Sequence, residues 1–135
     1  MANEATPVNG PYIRQDFTVL DAEAIEKGTL LKLSGARTVT AIETSGADVF
    51  AAGIAAAAKV ASDGQTNIAV HRQGIFKVAV NPDLAVGAGM PVVISGANFI
   101  RNATAAEIAS GAAILGRALQ DGAASAFIEV DIGRF

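Results

Sequence analysis

Apolar and polar positions fall into short runs from residue 16 onward. Those at 17–20, 29–33, 38–42, 67–70, 75–80, 91–94 and 126–132 are rich in aliphatic and β-branched side chains, the composition of strands on a partly buried sheet. In the last run Glu129 and Asp131 alternate with Ile128, Val130 and Ile132, a period of two that buries one face. Turn signals separate the runs: Ser34-Gly35, Asp63-Gly64, Gln73-Gly74, Asn81-Pro82-Asp83, Ser95-Gly96 and Asp121-Gly122. The pattern predicts a mainly β chain, a single β-barrel or β-sandwich-like domain with one or two short helices. One helix opens at Thr104, where Glu107 completes a capping box, and stops near Gly111. The alanines at 55–58 follow Gly53 and Ile54 and predict a strand passing into a loop or a single helical turn.

Residues 1–15 break the pattern. Pro7, Asn9, Gly10 and Pro11 disfavour helix and regular strand. The segment reads as an extended N-terminal arm, either frayed or ordered against a partner, ahead of a β-rich domain over 16–135.

The second half of the chain repeats the first. Residues 24–36 align with 85–97 at an offset of 61, with Ala, Gly, Ser, Gly and Ala in register. Residues 49–53 resemble 112–116 at an offset of 63, and the stretch from Asp63-Gly64 to Phe76 resembles that from Asp121-Gly122 to Phe135. Two units of roughly 60 residues bury too little surface to stand well alone. They are expected to pack into one pseudo-symmetric β body.

Composition narrows the chemistry. Charged residues make up 17% of the chain, against about 25% in ordinary soluble domains, and mean hydropathy is +0.40. So apolar a surface predicts an oligomer or a docked subunit. Net charge is −3 and no run of Lys or Arg occurs, so direct nucleic-acid binding is not expected. The start carries no signal-peptide pattern, and the uncharged run at 84–100 is broken by Gly and Pro. A soluble, non-secreted product with no membrane partner is expected.

Cysteine is absent and His71 is the single histidine, so a thiolate site is excluded and a transition-metal site would rest on carboxylates. His71, at a strand end beside Arg72 and Gln73, reads as solvated or hydrogen-bonded. Asp21, Glu23 and Glu26 form the densest acidic group and read as a charged loop. Gly87-Ala88-Gly89 lacks the third glycine of a dinucleotide loop, and neither a P-loop nor a nucleophile elbow occurs. No catalytic residue, cofactor or metal is expected. With no Trp and one Tyr, a sugar-stacking platform is poorly supplied.

The run Ala24 to Gly35 with Gly28 and Leu31 at its centre, then residues 49–55 (VFAAGIA), then 63–78 (DGQTNIAVHRQGIFKV) resemble the small capsid cement, or head-decoration, proteins of tailed bacteriophages and prophages. The ending, 114–119 followed by 128–132, is similar to the same family. The resemblance covers about residues 16–135 and rests on glycine and aliphatic spacing. It implies a β-rich protein on the outer face of the virion capsid, made in the host cytoplasm. It also implies a homotrimer that bridges major capsid protein subunits and has no catalytic site. The arm supplies the capsid-contact candidates Pro7, Asn9, Pro11, Tyr12, Ile13 and Arg14. Such an arm could add a strand to a sheet edge, and its removal is expected to spare the fold. Alternatives are another virion component, such as a tail or head-fibre part, and a small ligand- or carbohydrate-binding β-domain.

Overall fold

The computed structural model describes residues 4–41, 50–111 and 113–133. Its strands are β1 (Thr6–Val19), β2 (Leu30–Gly35), β3 (Thr38–Ala41), β4 (Ala51–Ala55), β5 (Asn67–Val80), β6 (Pro91–Ile94), β7 (Phe99–Asn102), β8 (Ile114–Ala118) and β9 (Phe127–Ile132). Among the described residues one helix, α1 (Ala105–Ser110), interrupts them. The mainly β expectation holds. Thr104 caps α1, Glu107 returns the capping-box hydrogen bond, and Gly111 closes the helix in the left-handed region. Among the described residues no helix is long and apolar enough to cross a membrane.

The ladders close twice. β1 pairs with β3, β3 with β2, β2 with β4, β4 with β5, and β5 returns to β1. A second circuit runs β5, β7, β6, β8, β9 and back to β5. The molecule is therefore two five-strand rings fused along β5.

The two circuits repeat pair by pair. The parallel pairs Thr18↔Thr38 and Val19↔Val39 recur 61 residues later as Ala79↔Phe99 and Val80↔Ile100. Leu30↔Ile54 and Leu31↔Gly53 recur as Pro91↔Arg117 and Val92↔Gly116, and both ladders then slip by one residue. The isolated bridge Ile25↔Lys59 recurs as Val86↔Gly122. Left-handed residues match too: Arg37 with Asn98, and Ser62 with Ser125. The sequence duplication is thus a duplication of register. One block is corrected: Asp63-Gly64 is not the equivalent of Asp121-Gly122, because Gly122 stands where Lys59 stands. β5 matches β1 in length and offset. It ends the first ring and begins the second.

Of three further readings, two change and one holds. Gln73-Gly74 is not a turn: β5 runs through it, with Gly74 at φ 137. The alanines at 55–58 follow the first of the two expected courses, a strand passing into a loop: β4 ends at Ala55, no helical turn follows, and the strand is buried throughout. The strand β7 was not marked by the apolar runs, although the offset of 61 from β3 points to it. The parts of the sequence pattern at residues 42–49, 112, 134 and 135 lie outside the described residues.

Inward alternation fills both rings. One core cluster comprises Phe17, Val19, Ile25, Leu31, Val39, Ala52, Ala55, Ile68 and Val70. The other takes in the equivalents Val78, Val80, Val86, Val92, Ile100, Leu115, Ala118, Ile128 and Val130, and continues through Phe76, Ile54, Leu30 and Ala5. Each Val, Leu, Ile or Phe among them contributes about 1.5–3 kcal/mol when fully buried.

The arm is part of this fold. Its proposed end at residue 15 falls inside β1, which lies antiparallel on β5 from Thr6↔Lys77 to Thr18↔Asn67. The Ala5 N–H also donates to the Gly28 carbonyl at 2.7 Å. Removing residues 1–15 would strip β5 of a partner, so the expectation of an unaffected fold is revised.

Candidate functional site: the outer strand β1 over His71

β1 is extended because it borrows its ladder from β5, and it is irregular because of its prolines. Register shifts occur between Pro7 and Asn9, Asn9 and Ile13, and Ile13 and Arg14. Pro7 and Pro11 have no N–H to give, which confines them to an edge strand or a bulge. Prolines and bulges also blunt an edge against further strand pairing. The strand addition expected of the arm is made within the chain, on β5. What the segment presents outward is side chains.

The six contact candidates all fall on this stretch. Pro7 pairs with Phe76, Asn9 with Ile75, Ile13 with Gln73 and Arg14 with His71, while Pro11 and Tyr12 occupy the irregular stretch between Asn9 and Ile13. Tyr12 and Ile13 are 39% and 46% exposed, and Val8, which sequence reasoning passed over, is exposed beside them.

Beneath them sits an aromatic cluster. The Tyr12 ring lies 5.6 Å from that of His71 and 5.5 Å from that of Phe76, and His71 lies 5.2 Å from Phe76. Gly74 makes the arrangement possible, since a Cβ there would come within 2.5 Å of the Tyr12 ring. A mid-strand glycine under an aromatic ring explains the misread turn. His71 is 8% exposed, and its buried Nδ1 has no hydrogen-bond partner among the described residues. The solvated or hydrogen-bonded reading of its position is corrected. Burial holds its pKa below the usual 6.5, and the nearby Arg14 and Lys27 cations lower it further. His71, Phe76, Ile54, Pro7, Lys27 and Glu4 help to line a cleft of about 320 Å³ beside the cluster. The sequence signals for this site were slight: one histidine, one tyrosine and a glycine inside an apolar run.

The remaining charge clusters are structural. Lys59 has a fully buried side chain, and its Nζ donates to the carbonyls of Asp21 and Val60 and to Asp63 Oδ1 at 2.8, 3.0 and 3.0 Å. Asp21 approaches the same ammonium at 3.5 Å, and the Thr40 hydroxyl donates to Glu23. The acidic group read from the sequence is therefore partly spent on a buried lysine. Arg101 grips Glu107 with both Nη atoms at 2.7 and 2.8 Å. Among the described residues, no three His, Asp or Glu side chains are grouped so as to hold a metal ion.

No family model matches the chain, and no curated protein matches it.

Proposed function

We propose that the protein is a capsid decoration protein of a tailed bacteriophage, docked on the outer face of the lattice and bridging major capsid subunits. The observation that carries the reading is β1. It is a long strand fixed by its backbone to a closed β body, and it turns Val8, Tyr12 and Ile13 outward. Apolar side chains on a strand already laid along β5 lose less entropy on docking than those of a free arm, and many modest contacts on a lattice add through effective concentration. The low charge of the chain and its resemblance in glycine and aliphatic spacing support the same reading. Homotrimerisation and binding to major capsid protein belong to this proposal.

The test is a binding assay on undecorated capsids, with light scattering of the free protein beside it. Wild type is expected to saturate the capsids, and the triple substitution of Val8, Tyr12 and Ile13 by Ser to lose at least about tenfold in affinity. That loss corresponds to about 1.4 kcal/mol. A solution mass three times 13.6 kDa supports a preformed trimer. Absence of wild-type binding would overturn the reading.

A further inference from the structure

We propose that His71 is an acid-sensitive latch: while neutral it holds the N-terminal half of β1 on β5, and its protonation releases that half-strand. This inference concerns the chain itself and does not depend on what the chain binds.

Two parts of β1 are held differently. Its last residues are anchored by Phe17 and Val19 in the core of the first ring. Residues 6–14 are exposed, and their ladder is interrupted by the three register shifts. Apart from those broken pairings, the anchors of this part among the described residues are Ala5, bonded to Gly28; Glu4, which accepts from Asn98; and the Tyr12 ring over Gly74 against His71 and Phe76. A segment with so few buried contacts opens at a fraction of the global unfolding cost.

Charging the imidazole attacks that anchorage. No acceptor among the described residues faces Nδ1, so the proton of the neutral ring belongs on Nε2. A second proton would create a buried N–H donor without a partner, on a ring that has become a cation. The surrounding charges offer little relief. β1 contributes Arg14, directly across the ladder, and the turn before β2 contributes Lys27 on the cleft wall. β5 itself contributes Arg72, whose guanidinium lies over Phe17 and bonds Gln15. Glu4 lines the same cleft, but its carboxylate accepts from Asn98 Nδ2 at 3.3 Å. β4 offers Ile54 and Ala55, which carry no charge. The cheapest route to water for a charged His71 is for Tyr12 and Arg14 to lift away.

The sign follows. The docked imidazole titrates below 6.5 and the released one near it, so between those values the open form holds more protons. Docking is complete above about pH 6.5 and weakens as pH falls through the window beneath it. Within that window the open fraction rises up to tenfold per pH unit.

The chain supplies its own reporters, since His71 is the only histidine, Tyr12 the only tyrosine, and tryptophan is absent. The experiment follows the His71 and Tyr12 ring resonances and the quenching of Tyr12 emission from about pH 7.5 to about pH 5, in the whole protein. Both residues are expected to share one midpoint below 6.5, with Tyr12 becoming accessible while the amides of 17–19 stay protected. His71→Phe keeps a ring and is expected to abolish the Tyr12 response. A Tyr12 signal flat across the His71 titration would overturn the latch. So would an unchanged pH response in a folded His71→Phe protein. The wild-type titration decides the matter if that variant fails to fold.

Discussion

The first ring and the second share a ladder almost pair for pair, yet they solve the same packing problem with different side chains. At the bridge with Ile25, the first ring places Lys59, whose ammonium reaches two carbonyls and two carboxylates. At the equivalent bridge with Val86, the second ring places Gly122, backed by Ile128 and Val80. Between β7 and β8 the second ring carries α1, fixed by the Arg101–Glu107 pair; the corresponding stretch of the first ring, 42–49, lies outside the described residues. What is common to the halves is therefore backbone geometry. What differs is how the space around it is filled, and backbone geometry constrains sequence at fewer positions.

That distinction can be pressed experimentally. The largest effect is expected at Gly53 and Gly116, where an added Cβ would overlap the carbonyl oxygens of His71 and Asp131 respectively. Backbone on the facing strand cannot step aside, so Gly53→Ala and Gly116→Ala should each lose more than about 3 kcal/mol in urea denaturation. Tolerance at one site alone would break the equivalence of the rings.

The legible part of the fold divides along the same line. Glycines, turn pairs and aliphatic spacing announced the duplication, the capping box announced α1, and the period of two in β9 announced its buried face. β7 was hidden because Phe99-Ile100-Arg101-Asn102 has no alternation strong enough to stand out, and only the repeat points to it. The β1 site was obscured for a different reason. Pro7 and Pro11 argue locally against a strand, and only pairing with β5, about 60 residues away in sequence, overrides them. His71 and Gly74 gain their meaning from a Tyr12 ring that no sequence window places above them.

A middle-sized effect is expected where the rings differ. Lys59→Ala removes the buried ammonium from the Asp21 and Val60 carbonyls and from Asp63 and should cost about 3 kcal/mol. Gly122→Ala presses on the buried side chains of Ile128 and Val80 and should cost about 2 kcal/mol. Equal losses in thermal unfolding would show that the lysine does no more than fill space.

The smallest of the three lies at α1. Arg101 and the capping contacts with Thr104 hold the Glu107 pKa down at about 2 against an ordinary 4.5. Its carboxylate therefore adds stability in full above about pH 4.5, and that contribution is lost as the pH falls toward 2. Glu107→Gln should cost about 1.5 kcal/mol at neutral pH and flatten that acid limb. An acid limb unchanged by the substitution would place its origin elsewhere.

Because β5 is a wall of both rings, the duplication did not produce two separable modules. Cut the chain on either side of β5, and one piece keeps a closed circuit while the other inherits a gap the width of a strand. A single cut therefore cannot recover both rings whole. An insertion or loss within the fourteen residues of β5 disturbs both rings at once.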